Sequence, residues 1–351
     1  MPGSPRRWVE EERVAFLAGS RPPHGVTKDR REFLGRRGSP AMPDGLRRVG
    51  LGGTIAPGTD PCAAMQLHLD LAVGGSEEVL FALGQAEDRA TALDLAERYR
   101  DLEAYAAELA AAEAVWDARL DKVRVSTPDP ALDLMTNRWL LYQTLASRYF
   151  GRTAFYQPGG AYGFRDQLQD AVALLHAAPE LARAQLLRAA AHQFEEGDVL
   201  HWWHPPTGRG VRTRISDDLL WLVYATERYV TTTGESGVLG EVVPFLTGRP
   251  LAPDAEDRYD AYAPGQESGT LLEHCCRALE KGATLGRHGL PLMGTGDWND
   301  GMNRVGAAGK GESVWLAWFL VDVIRRFTRL LGHAGGSDAE AERWAARADA
   351  Y

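Results

Sequence analysis

Apolar positions along the chain follow two different periods. Two short stretches alternate, His68-Leu-Asp-Leu-Ala-Val73 and Glu78-Val-Leu-Phe-Ala-Leu83, with Gly74-Gly75-Ser76 between them. Alternation around a turn signal predicts a β-hairpin. Two strands alone are not stable in water, so they are expected to pack on helices or to belong to a larger sheet. From residue 86 the period lengthens. Glu87 to about Lys122, rich in Ala, Leu, Glu and Arg, predicts one long amphipathic helix. Beyond Pro128–Pro130, helical patterns recur over 131–150, 165–177, 180–196, 216–233, 236–247, 268–284, 312–331 and 337–350, with Gly- or Pro-rich loops between them. Residues 1 to about 60, punctuated by Pro2, Pro5, Pro22, Pro23, Pro40, Pro43 and Pro57, predict loop. Successive helices joined by loops that carry the unusual residues predict a helical toroid or solenoid.

Composition narrows the class. The 351 residues include 48 acidic and 39 basic side chains, a formal charge of −9. That balance argues against a nucleic-acid sleeve or an anionic membrane surface, both of which need clustered Lys and Arg. No apolar run approaches the roughly 18 residues of a membrane span, and no apolar segment follows Arg6-Arg7 to make a signal peptide. Cys62, Cys275 and Cys276 are too few for a disulfide framework, which suits a reducing, cytoplasmic compartment.

Four loops carry candidate chemistry. The first, from Tyr156 to Asp170, combines glycines with Arg165, Asp166, Gln169 and Asp170 at a helix start. Arg165 and Gln169 share one helical face, and Asp166 and Asp170 share another. Such paired donors and acceptors suit sugar hydroxyls; the alternative is a Gly-rich connection with dipole-favoured acids. The second runs from His201 to Asp218. Adjacent Trp202 and Trp203, read as a loop, are expected to offer at least one ring to a ligand such as a sugar. Arg212, Arg214, Asp217 and Asp218 add charged groups, and Ser216 resembles an N-cap. His201 and His204 lack the spacing of a zinc site.

The third loop, Gly294-Thr-Gly-Asp-Trp-Asn-Asp-Gly301, sets two carboxylates, an amide and Trp298 among glycines. It fails as a calcium loop, because Met302 and Ala308 occupy the positions that need Gly and Glu. A carboxyl desolvated against an indole would keep its proton and serve as a general acid; an Asx-turn around a buried Trp is the plainer alternative. The fourth, Gly309-Lys-Gly-Glu-Ser-Val-Trp315, is not a phosphate loop, since Arg304 stands where the first glycine belongs. No G-x-S-x-G elbow or Cys–His pairing supports nucleophilic hydrolysis.

Together these motifs, with His288-Gly-Leu-Pro-Leu-Met-Gly294, Asp60-Pro-Cys-Ala-Ala64 and Trp139-Leu-Leu-Tyr-Gln143, resemble family 94 of the glycoside hydrolases, which contains inverting cellobiose and chitobiose phosphorylases. Within that family they look most like the C-terminal phosphorylase-like region of cyclic β-1,2-glucan synthases and the 1,2-β-oligoglucan phosphorylases. The resemblance covers about residues 30 to 330. It implies a mainly α fold: the remnant of an N-terminal β-sandwich over 1–85, a helical linker over 86–126, and an incomplete (α/α)6 barrel over 127–351. It also implies Asp300 as general acid, Trp298 lining the sugar site, and Arg165, Asp166 and Asp170 holding the terminal glucosyl unit. The implied reaction is phosphorolysis of a β-glucan to α-glucose 1-phosphate. Inorganic phosphate is then a co-substrate, with no metal or organic cofactor. Family members continue past the last helix, and their phosphate-binding positions lie there. The chain is therefore expected to be a fragment, with a larger membrane-bound synthase as one source, whose turnover depends on that later part; relatives suggest a homodimer. Two other readings stay open: an inverting (α/α)6-barrel hydrolase with Glu267 or Glu273 as second carboxylate, and a non-catalytic glycan-binding or chain-length-sensing module.

Overall fold

The computed structural model describes residues 13–151, 160–205 and 207–351. The N-terminal 1–12, the opening of the first glycine-rich loop (152–159, with Tyr156) and Pro206 lie outside them. The chain divides into two compact units, 1–116 and 117–351.

The first unit holds strands β1 (Val14–Gly19), β2 (Gly25–Asp29), β3 (Pro61–Gln66) and β4 (Phe81–Ala86). β1 pairs antiparallel with β4, and β2 with β3. Two expectations are corrected here. Residues 1–60 are not all loop, and 68–73 is not a strand; only Phe81–Leu83 of the expected hairpin enters a ladder, and its partner is β1. The cause is the long range of the pairing. Phe81 faces Gly19 across the ladder, so a local period reports neither partner nor register. The single helix expected over 87–122 is two. α1 (Arg89–Arg98) is opened by Asp88, whose carboxylate accepts from the Thr91 amide at 2.8 Å. Asp101 does the same for the Ala104 amide at the start of α2 (Leu102–Leu120), so a second cap interrupts the run.

The second unit is mainly α-helical with short sheets. Its stretch over 130–150 is helical but broken: Asn137 leaves helical geometry and Arg138 sits at φ +72°. The Asn137 amide spans the backbone N–H and C=O of Val125, both at 2.8 Å, and the Arg138 guanidinium pairs with Asp117 and Asp121. These local bonds compete with the helical ladder. β5 (Tyr162–Gly163) then leads into α3 (Phe164–Ala173), followed by α4 (Pro179–Ala190). The next segment was expected to be a loop. Instead Leu200–His204 is strand β6, hairpinned to β7 (Arg209–Thr213). Gly210 permits the close crossing, since a Cβ there would lie 2.7 Å from the Trp202 carbonyl oxygen.

α5 (Leu220–Thr233) ends on left-handed Gly234. The helix expected over 236–247 is replaced by a 3-10 turn and strand β8 (Val242–Thr247). Val242, Val243 and Pro244 explain the change, being β-branched or unable to donate to a helical ladder. β9 (Asp257–Ala261) joins β7, completing the order β5-β6-β7-β9, and β10 (Ala263–Thr270) pairs with β8. α6 (Leu271–Gly282), α7 (Val314–His333) and α8 (Asp338–Asp349) complete the unit.

The core of this unit lies between α3–α7 and the back of the sheet, with Phe164, Leu168, Leu186, Leu220, Val223, Leu279, Leu320 and Phe327 fully buried. α7 buries Leu316, Leu320, Val323, Ile324, Phe327 and Leu331 on one stripe and leaves Val314, Trp315 and Trp318 exposed on the other. Buried Glu227 of α5 ties the two helices by accepting from Arg326 at 2.7 Å and Arg329 at 2.9 Å. No helix among the described residues is long and apolar enough to cross a membrane.

Candidate active site

The site is assembled around Arg165, in the first turn of α3. Phe164 anchors that turn in the core, and Arg165 itself is only 6% exposed. Its Nη1 donates to Asp217 Oδ1 at 2.8 Å and to the Asp297 carbonyl at 3.0 Å, and lies 3.7 Å from Asp218 Oδ1. Its Nη2 donates to Asp300 Oδ1. Residues from two distant segments, 217–218 and 297–300, thus converge on one guanidinium of α3. Burial works against its charge, but Asp218, Asp217 and Asp300 together hold it more firmly cationic than usual.

The loop bearing Asp300 is fixed by backbone. Ile215 bridges Gly294 and Gly296, and the Ser216 amide and hydroxyl both donate to the Gly296 carbonyl, at 2.9 and 3.0 Å. Ser216 is therefore no helix cap; the helix begins at Leu220. Gly294 sits at φ +65°, with the Arg214 carbonyl oxygen only 1.9 Å from where a Cβ would be. Gly294→Ala is accordingly expected to destabilise the unit by about 1–3 kcal/mol, read as a lower denaturant midpoint; a midpoint like that of wild type would mean the loop is not pinned there. Asp297 is buried and spent on structure: Oδ2 accepts from Ser313 at 2.6 Å and Oδ1 from the Asn299 amide at 3.0 Å. Ser313 in turn caps α7, accepting from the Leu316 amide at 3.0 Å.

Asp300 differs from its neighbour. Its side chain is 39% exposed, and Trp298 beside it in sequence is 54% exposed. Neither side chain is buried, whereas the sequence predicts a carboxyl shielded against the indole. What the carboxyl meets is the Arg165 guanidinium and, at 3.9 Å, His201 Nε2.

The wall next to Arg165 is carboxylate-rich. Asp166 and Asp170 lie one helical turn apart on α3. Burial pushes the Asp166 carboxyl up, with Arg165 opposing. Burial does the same to Asp170, opposed by Arg148, whose Nε donates to Asp170 Oδ1 at 3.1 Å. Asp217 accepts from the Trp221 indole at 3.0 Å; burial and the neighbouring Asp218 drive its carboxyl upward against the pull of Arg165. Two buried oxygens, Asp170 Oδ2 and Asp218 Oδ1, lack a hydrogen-bond partner among the described residues. Such orphan acceptors are costly unless a ligand donates to them. Gln169 is half-buried on α3.

Four other expected site residues, Trp202, Trp203, Arg212 and Arg214, lie elsewhere, and two are corrected. Trp203 is 1% exposed, stacked on His192 with centroids 3.8 Å apart and on Tyr162 at 5.7 Å. It is a core residue with no face for a ligand. Alternation along β6 explains the split: Trp202 turns the other way, half-buried near His204 and Tyr259. Arg212 is 2% exposed and lies over Phe194. Its five N–H donors go to Asp198 (twice), Glu196 and the carbonyls of Gly248 and Arg249, leaving none for substrate. Arg214 clasps the carbonyls of Ala252 and Ala255 at 2.8 and 3.0 Å. Arg212 and Arg214 line a separate cavity of about 520 Å³ with Ser216, Lys281 and Gly294, which Arg165 and Asp300 do not line. Glu267 and Glu273, suggested as second carboxylates, both pair with Arg277 at 2.8 Å.

Sequence reasoning missed Arg148 and Trp221 and weighed His201 only as a metal ligand. Arg148 stands 22 positions from Asp170, with no spacing to betray it. His201 had a signal in hindsight, a strand histidine facing the Asp217-Asp218 pair across a hairpin.

Carboxylates gathered around one guanidinium on a mainly helical scaffold leave two buried acceptor oxygens open among the described residues, a chemistry that hydroxyl donors would satisfy. Comparison with known proteins gives the family. The glycosyl hydrolase 94 superfamily catalytic domain matches residues 115–351, and the glycosyl hydrolase 94 supersandwich domain matches residues 3–102; the chain belongs to that family. It is 46% identical over 317 residues to the cyclic beta-(1,2)-glucan synthase NdvB of Rhizobium meliloti (strain 1021), covering 90% of this chain and 11% of that protein. It is 28% identical over 329 residues to a solabiose phosphorylase of Paenibacillus borealis, covering 93% of this chain and 38% of that one. A 1,2-beta-oligoglucan phosphorylase of Listeria innocua matches at 26% over 208 residues, 56% of this chain and 18% of that protein. The chain thus spans well under half the length of these relatives.

Proposed function

We propose that this chain carries the acid-bearing half of an inverting phosphorolytic site for β-glucan, with β-1,2 linkage as the preferred substrate, and that Asp300 is the general acid. The observation that carries this reading is the convergence on Arg165 of exposed Asp300, buried Asp217 and Asp218, and the helix-borne Asp166, beside Asp170 with its unpaired oxygen. Asp166, Asp170 and Asp218 then accept from glucosyl hydroxyls. Asp300, open to the site, gives its proton to the departing glucan oxygen. A hydrolase needs a second carboxylate to activate water. Phosphate is already a nucleophile and needs positioning instead, so one protein acid suffices and the product is α-glucose 1-phosphate.

In the same reading, residues 1–85 form part of a sandwich, 86–126 a linker and 127–351 part of an (α/α)6 barrel. The two family models and a unit division that falls inside 86–126 support it. The complete site, its phosphate-holding residues included, draws on more polypeptide than this chain. The test supplies β-1,2-glucan oligosaccharides and inorganic phosphate to the intact protein and follows glucose 1-phosphate. Phosphate-dependent release is expected; free glucose formed without phosphate would replace this reading by hydrolysis.

A further inference from the structure

The loop, strand and helix that meet at Asp300 also enclose a histidine. β6 carries His201, 11% exposed in its side chain, with Nδ1 2.8 Å from Asp218 Oδ2 and Nε2 3.9 Å from Asp300 Oδ2. Asp300 Oδ1 is held by Arg165. We propose that His201 is a positioning residue for Asp300: anchored by Asp218, its ring holds the second oxygen of the carboxyl whose first oxygen Arg165 holds. The proposal rests on Asp300 being the general acid.

The geometry favours a charged ring. When Nδ1–H donates to Asp218, a neutral imidazole presents its Nε2 lone pair toward a carboxylate oxygen, whereas an imidazolium presents an N–H. At 3.9 Å the contact is an ion pair longer than a hydrogen bond, of the kind that tightens when substrate closes the site. The charged groups that face the ring are Asp218 after β7, Asp300 in the glycine loop, and Arg165 and Asp166 of α3. Burial works to lower its titration, but the charge and hydrogen bond of Asp218, with Asp300 adding, outweigh burial and Arg165 and raise it. The consequence is twofold. A terminal carboxyl torsion is otherwise soft, and two cationic contacts, one on each oxygen, fix the plane of the carboxyl at the site. Once Asp300 has released its proton, the carboxylate that remains faces two positive charges.

The test needs no turnover at first. Titration of His201 by NMR in the chain as it stands, assigned through His201→Gln, is expected to show a midpoint above the ordinary value of about 6.5. Asp300→Asn is expected to lower that midpoint by roughly one pH unit, and Asp300→Ala to do the same. Because Asp300 is exposed, both variants keep the fold. A midpoint unmoved in both overturns the coupling. In the intact protein, His201→Gln is expected to cut kcat roughly tenfold or more with KM little changed, and a kcat within twofold of wild type overturns the positioning role. Absence of phosphorolysis in the wild-type protein would instead count against the Asp300 reading, and the NMR result would still decide the coupling.

Discussion

Arg165→Met is expected to destabilise the helical unit by about 3–5 kcal/mol, the loss typical of removing one partner from a buried charge cluster. Methionine fills most of the volume, so the cost is electrostatic. Asp217 and Asp218, 0% and 1% exposed, would keep their burial and lose their cation, and the Asp297 carbonyl would lose a donor. The effect has a pH signature whose sign follows from Asp217. Its folded carboxyl already titrates above its unfolded value because of burial and Asp218. Its contribution to stability is therefore fully present below the unfolded value of about 4 and is lost as pH rises through the folded one. Removing Arg165 takes away an influence that lowers the folded value, so the folded value climbs and stability goes on being lost above neutrality. The gap between wild type and variant is expected to be small near pH 5 and to open as pH rises through the wild-type folded value of about 7, toward pH 8. Urea unfolding at both pH values reads it. A gap that stays constant, or that never exceeds about 1 kcal/mol, would mean that the cluster is not held together by charge.

That arginine shows what was legible beforehand. Arg165, Asp166, Asp170, Asp217, Asp218 and Asp300 were all singled out from sequence, because charged side chains in glycine-rich loops or at a helix start stand out against an apolar period. The helices of the second unit were legible for the same reason: α5, α6 and α7 each repeat apolar residues on one stripe. The failures share one cause, partners set by distance in space. The strands of the first unit pair across tens of residues. β6 looked like a loop because Pro205 and two tryptophans hid a five-residue strand. Trp203 and Arg212 looked like ligand-binding residues because nothing local announces a stack on His192 or the five acceptors closing on one guanidinium. The helix expected over 236–247 failed because β8, which fills its second half, takes its order from β10.

Asp300→Asn carries the largest expected effect on activity. The amide matches the carboxyl in size, and its oxygen can still accept from Arg165 Nη2, so the loop keeps its place. It has no proton to give. Loss of a positioned general acid costs roughly 10²-fold or more, and the loss should fall on kcat, because hydroxyl contacts from Asp166, Asp170 and Asp218 are untouched. Asp297→Asn makes the informative comparison three positions away. That carboxylate is buried and accepts from Ser313 and the Asn299 amide, so its variant should lose stability while the folded fraction retains the proton donor. Initial rates of glucose 1-phosphate formation, normalised to folded protein, separate the two. If Asp300→Asn keeps a rate within about threefold of wild type, where a positioned acid is worth 10² or more, the proton comes from another group, and the convergence on Arg165 is a structural clasp and not the heart of the site.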